Sequence, residues 1–140
     1  MPLDAKIRLE SSRIRSLTFK MKEGRPEKEK VRIEYEMSYG HDYDYKEKRI
    51  SSLVKISTGK NQLPFFLDIE YEGIFRLDKR VAKKKIMPFM EINCPAILFP
   101  FIRECIADIT RRAGFNPLLL PAVNFVEIAH RHKEGKRKPA

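Results

Sequence analysis

No stretch of this 140-residue chain approaches the ~20 apolar positions that a membrane-spanning helix needs, so no membrane insertion is expected. Its start, MPLDAKIRLESS, lacks the apolar centre of a secretory leader. Cysteine is scarce: Cys94 and Cys105 are the two present, eleven positions apart in one helical region. Three helical turns would hold them roughly 16 Å apart, too far for a disulfide. Both read as reduced and buried, which points to a cytoplasmic protein. There is no CxxC and no dense Cys/His cluster, and His130 and His132 stand without partners, so no metal is expected. A glycine-rich phosphate loop is missing, as is any Ser/His/Asp or Cys/His arrangement. Arg103 and Glu104 resemble a catalytic pair in the sequence, but adjacent helical positions diverge by about 100°. They read as structural or intersubunit ion pairs. The expectation is a protein without a cofactor that is not an enzyme.

Charge, by contrast, is abundant: 34% of residues are charged and the net charge is +10. Its placement is uneven. The segment RLDKRVAKKK, 76–85, carries six basic residues and one acid, and HRHKEGKRKPA, 130–140, carries five basic residues and one acid. Almost all the excess therefore lies in what reads as a connector and a flexible basic tail. Well-spaced apolar residues, 42% of the chain, argue for one globular domain, 1–129, rather than disorder.

Alternation marks the first half as strands. In 13–22, Leu17, Phe19 and Met21 share a side. In 30–39, Val31, Ile33, Tyr35, Met37 and Tyr39 face one way, and Arg32, Glu34, Glu36 and Ser38 the other. The odd parity continues through His41, Tyr43 and Tyr45, either as a longer strand or as a polar aromatic connection. A third strand spans 49–58, where the adjacent Leu53 and Val54 suggest a bulge. After the turn signal GKN, residues 63–75 alternate again: Phe65, Leu67, Ile69 and Tyr71 against Phe66, Asp68, Glu70 and Glu72. Strands three and four should pair as a hairpin.

A helix follows, with Asn93 as its N-cap, Pro95 near its first position and Gly114 as its left-handed stop. Pro100 lacks the amide proton for a bond back to Ala96, so it kinks the helix or delays its regular start. Leu98, Phe101, Ile102, Cys105, Ile106 and Ile109 form a stripe at helical spacing. A short second helix is expected from Val123 to about Lys133. Four strands followed by two helices read as α+β with an antiparallel sheet. The connection between the helices is unusually apolar: Leu118, Leu119, Leu120, Val123, Phe125 and Val126. Leaving six such side chains in water would forgo about 10 kcal/mol, comparable with the stability of a whole domain. Own core, another subunit or a transient ligand must cover them.

EGIF (72–75), the run NCPAILFPFIRECIADITRRAGF (93–115) and VNF (123–125) resemble the bacterial export chaperone SecB and its SecB-like relatives. The pattern Cys-Pro-x-x-Leu-Phe-Pro-x-x-Arg-Glu is complete from Cys94 to Glu104. The resemblance implies a four-stranded antiparallel sheet with a long and a short helix, assembled as a dimer of dimers. Ile97 and Phe99, outside the stripe, would then meet other subunits. It also implies an ATP-independent holdase for non-native polypeptides, preproteins or an antitoxin, with a groove at Leu118, Leu119, Leu120, Val123 and Phe125, and Phe19 and Met21 contributing from the first strand. The translocase motor SecA would dock on the sheet at Phe66 and Asp68. Two departures bear on this. The family segment Phe-Pro-x-Leu-x-Leu-Ala-Pro-Val-Asn-Phe is here FNPLLLPAVNF, with each proline moved by one place. Ser16 and Lys20 stand where the family often has acids. The rival readings are a nucleic-acid-binding protein, from the pI of about 9.7 and the interleaved tyrosines, and a scaffold without chaperone activity. Clustering of the basic residues and acids on the strands speak against nucleic acid.

Overall fold

The structure, a computed structural model, describes residues 6–22, 35–58 and 64–137. Val31 to Glu34 and the turn signals at 23–30 and 59–61 lie outside the described residues. Four strands, β1 (Ile7–Met21), β2 (Glu36–Asp44), β3 (Arg49–Ser57) and β4 (Phe65–Leu77), form one antiparallel sheet in the order β1-β4-β3-β2. The second strand runs on through Tyr43 rather than becoming a connection. It then turns sharply: the Asp44 carboxylate accepts the backbone N–H groups of Lys46 (3.0 Å) and Glu47 (3.2 Å).

No bulge interrupts the β2–β3 or β3–β4 ladders, so Leu53 and Val54 simply face opposite ways, with Val54 in the core. The irregularities are in β1, between Leu9 and Ser11 and between Ile14 and Ser16. Each inserts one residue and so resets the parity of the strand. Ile7, Leu9, Ile14, Leu17, Phe19 and Met21 therefore stand opposite Leu77, Phe75, Tyr71, Ile69, Leu67 and Phe65, all on one face.

That face carries the core: Ile50, Val54 and Ile56 of β3 with Phe65, Leu67, Ile69, Phe75 and Leu77 of β4. A continuous helical stretch lies on it. It begins at α1 (Lys83–Pro88), passes through a wide π-type turn at 89–93 and continues as α2 (Cys94–Arg112). The helix thus starts eleven residues before the position expected. Asn93 is already helical (φ −78°, ψ −42°) and makes no side-chain cap. The wide turn closes with the Cys94 N–H on the Phe89 carbonyl, immediately before Pro95, whose ring could not fit an ordinary α-turn interior. The basic connector is consequently divided: Arg76 and Leu77 end β4, and Lys83–Lys85 open α1.

Joined in this way, Lys83–Arg112 is long and apolar enough, by length and composition alone, to cross a membrane, which the sequence reading did not anticipate. Its fully buried residues Leu98, Ile102, Ile106 and Thr110 pack inward as a core helix instead. Gly73 explains how closely. A Cβ there would come within 2.5 Å of a Leu98 methyl, so only glycine lets the helix settle on the strand. The buried row is 94/95, 98/99, 102, 106 and 110, rotated from the expected stripe. Phe101 is 39% exposed, and Phe99 is a core residue of its own protomer rather than a subunit contact.

Gly114 (φ +94°) ends α2 as expected. Its N–H reaches the Arg111 carbonyl, and the Phe115 N–H reaches that of Thr110, both at 3.0 Å. This is a Schellman stop. The second helix, α3, spans Phe125–Arg137, so the boundary drawn at Ala129 falls inside it. Residues 130–137 continue that helix.

Candidate functional site: two uncovered apolar surfaces

The chain between α2 and α3 is extended, and extended chain presents successive side chains to opposite sides. Leu118 and Leu120 accordingly point in and are buried, while Leu119 is 62% exposed. A single side chain anchors this path. Thr110, fully buried on α2, donates its hydroxyl to the Ile106 carbonyl (2.9 Å) and accepts the Leu118 N–H (2.9 Å). Phe125 is buried edge-on against Tyr39 of β2 (centroids 6.1 Å apart) and Phe99 of α2 (5.8 Å). Leu118, Leu120 and Phe125, expected to line a groove, thus belong to the core. Two prolines, Pro117 and Pro121, and a buried threonine fold the loop down onto the sheet. What remains open is a shallow recess of about 410 Å³, with Ile92, Ala96, Val123 and Val126 around the Phe125 edge and Leu119 nearby in the chain.

The second surface lies on β1. The helix α2 covers β3 and β4, and Phe125 covers part of β2, but among the described residues the inner face of β1 is left partly open. Ile14, Leu17 and Met21 are 42%, 40% and 49% exposed. Phe19 is half-buried, stacked on Phe65 at 5.3 Å. Phe101 flanks this strip, lying parallel to Tyr71 at 6.1 Å. A trough of about 620 Å³ runs between Ile14 and the Phe101–Asp108 side of α2. The sequence reading found Phe19, Met21 and Leu17 but missed Ile14 and Phe101. The second bulge shifts Ile14 out of parity with Leu17, and Phe101 had been assigned to the buried stripe.

On the opposite sheet face the acids are paired with basic side chains. Glu72 is buried beneath Arg13 and Arg15, each at 3.5 Å. Lys55 lies 3.9 Å from Asp68 and 4.0 Å from Glu70. Arg49 and Arg76 both reach Glu10 at 3.5 Å. Phe66 and Asp68 share this face, both partly buried, with Lys20 paired opposite Phe66. The tyrosines Tyr35, Tyr39 and Tyr43 pack against the core, while Tyr45 is 74% exposed.

Nothing among the described residues gathers three metal-binding side chains. Burial pushes the Cys94 thiol up to about 12, and burial with Asp108 and Glu104 raises that of Cys105. Both are therefore protonated at neutral pH and poor nucleophiles. Asp108 instead holds Arg111 (2.7 Å) and Arg112 (3.0 Å), whose carboxylate pKa they lower.

Over 67 residues the chain is 43% identical to the protein-export protein SecB of Afipia carboxidovorans, covering 48% of this chain and 41% of that protein. Over 75 residues it is 41% identical to the SecB of Nitrosomonas europaea, covering 54% and 46%. The chain thus spans less than half the length of these curated relatives. In three dimensions it superposes on the SecB-like chaperone of Mycobacterium tuberculosis, solved with a ChAD peptide from an antitoxin, with a TM-score of 0.69 and 17% identity over 86% of this chain and 89% of that one. A Streptococcus agalactiae protein of unknown function gives a TM-score of 0.53 and 12% identity over 83% and 97%. Those two likenesses concern the fold alone. The family model described as preprotein translocase subunit SecB matches residues 9–136, nearly the whole sequence, and the chain belongs to the SecB family.

Proposed function

We propose that this chain is an ATP-independent holdase that binds non-native polypeptide through its uncovered apolar surfaces. The observation that carries this reading is the exposure of Leu119, Val126, Ile14, Leu17, Met21 and Phe101, each between 39% and 62%. Apolar area of this extent is unusual on a solitary soluble protomer. Burial of apolar surface is non-directional, so such a surface accepts many client sequences. A holdase acts by lowering the concentration of free unfolded chain, which requires no catalytic group and no cofactor.

The two surfaces divide the work. The β1 strip and the outward Ile97 of α2 are where sister copies pack, giving a homo-oligomer that we take to be a dimer of dimers. The recess at Val123 and Val126, with Leu119 close by in the chain, takes the client, and Phe19 and Met21, near the end of β1, offer it a separate contact. Leu118, Leu120 and Phe125 hold the shape of that recess from beneath. The working compartment is the cytoplasm. The clients are preproteins in export or, as with the mycobacterial relative, an antitoxin segment. SecA would dock through Phe66 and Asp68, where Lys55 and Lys20 offset the acid.

The test dilutes a chemically unfolded protein into buffer with a stoichiometric amount of this chain, without nucleotide, at low and high salt. Suppressed aggregation that survives high salt is expected. Aggregation at the uninhibited rate would overturn the proposal. A salt-sensitive shift of RNA or DNA would instead favour the nucleic-acid reading. Light scattering should give a mass well above the protomer's 16.5 kDa.

A further inference from the structure

A third recess, sharing no lining residue with the two apolar surfaces, lies where the start of β1 meets the turn between β4 and α1. It is an open pocket of about 610 Å³. Its floor is apolar: Ile7, Val81, Pro88 and Phe89. Phe89 packs at a steep angle against Phe75 (5.9 Å, 80°), which fixes the ring in the floor. The rim is cationic, with Lys6 and Arg80 on one side and Lys84 and Lys85 on the first turn of α1. Among the described residues, no acidic side chain lines the pocket.

The walls are tied together by backbone bonds. The Asp78 N–H donates to the Lys6 carbonyl at 2.7 Å, the Val81 N–H to the Asp78 carbonyl at 3.2 Å, and the Lys85 N–H to the Ala82 carbonyl at 2.9 Å. Asp78 is held ionised, its pKa brought down to about 2 by the Arg80 side chain and backbone, and it neutralises that one guanidinium. Lys84 and Lys85, both exposed, keep the α1 side of the rim positive, and Lys79 and Lys83 adjoin it in the chain.

We propose that this pocket docks an acidic peptide segment, one whose apolar side chain fills the Ile7–Val81–Phe89 floor while flanking carboxylates meet the lysine rim. Charge complementarity selects the partner: a carboxylate-bearing chain gains at every rim position, and an apolar side chain is needed to occupy the floor. Bare phosphate would use the rim but leave the floor empty. The inference does not rest on the holdase reading, because the pocket is separate from both apolar surfaces.

The experiment is a fluorescence-anisotropy titration with three labelled probes of equal length: a peptide with leucines flanked by glutamates, the same peptide with lysines replacing the glutamates, and a single-stranded RNA. The acidic peptide should bind best, and added salt should weaken it. Lys84→Glu with Lys85→Glu, at exposed positions, should weaken it on the order of tenfold. The neutral pair Lys84→Gln with Lys85→Gln should give a smaller loss with an unchanged circular dichroism spectrum. Leu119→Asp should leave binding of the acidic peptide unchanged. The proposal is overturned if the lysine-bearing peptide or the RNA binds as tightly, or if neither lysine pair changes the affinity. It is equally overturned if Leu119→Asp abolishes binding of the acidic peptide.

Discussion

Substituting Gly73 with alanine isolates the contact on which the helix layer rests. A Cβ at position 73 would lie 2.5 Å from Leu98 Cδ2, 3.1 Å from Cδ1 and 3.2 Å from Cγ. Leu98 is fully buried, with Ile102 one turn further along α2 also fully buried, so its side chain has no open volume to swing into. Forcing extra volume into a packed core costs about 1–3 kcal/mol. Against this, alanine restricts the unfolded chain and returns about 0.4–1 kcal/mol, and no positive φ at Gly73 adds strain. The net expectation is a destabilisation of about 1–2 kcal/mol. Urea unfolding followed by circular dichroism at one fixed protein concentration would read it, because the midpoint of the proposed oligomer would depend on concentration.

The sharper measurement is a double-mutant cycle. Leu98→Ala alone leaves a cavity and costs about 2–5 kcal/mol. With alanine at both positions, the new methyl group occupies part of the space that Leu98 vacates. The double variant should therefore be more stable than the sum of the two single changes predicts, by about 1 kcal/mol or more. Strict additivity, or a Gly73→Ala variant at least as stable as the original, would refute the close seat of α2 on β4. The position of the loop would then lose its stated cause, since the same helix carries Thr110, which holds Leu118 in place.

Other changes separate the loop's buried and exposed sides. Leu119→Asp should weaken client binding while leaving the thermal midpoint within a degree or two, because Leu119 is mostly in water. Phe125→Asp should instead unfold or severely destabilise the protein, since it would bury an unpaired charge beside Tyr39 and Phe99. Two folded variants with equal loss of client binding would contradict that division. Thr110→Val strands the buried Leu118 N–H and should cost about 1–3 kcal/mol in denaturant unfolding. Gly114→Ala should cost about 1 kcal/mol, from its φ of +94°. Cys94 supplies a pH dependence. Its folded pKa, about 12, lies above the ordinary value of 9.0, so the unfolded chain loses the proton first. The stabilisation is complete below about pH 9 and declines as pH rises towards 12. Cys94→Ala should flatten that alkaline decline, and the native thiol should resist a thiol reagent that labels it rapidly after unfolding.

Strand order along the chain, the Gly114 stop and the core parity of β4 were all legible in the sequence. Each follows from a local rule: alternation in a half-buried strand, or the freedom of glycine at positive φ. The family motif from Cys94 to Glu104 was legible in the same way. The early start of the helix was not, because lysines and Pro88 hid a turn that a wide π-type loop makes compatible with Pro95. Nor was the division of the greasy loop. Leu118, Leu119 and Leu120 are chemically identical, and only the Thr110 anchor and the height of α2 above Gly73 decide which of them faces water. The β1 surface depended on two inserted residues whose effect appears only in register with β4. The amino-acid order thus determined which segments are strand, helix and stop, because those preferences act over a few residues. Which apolar side chains stay uncovered was decided by the tertiary structure, because coverage depends on where one layer ends above another.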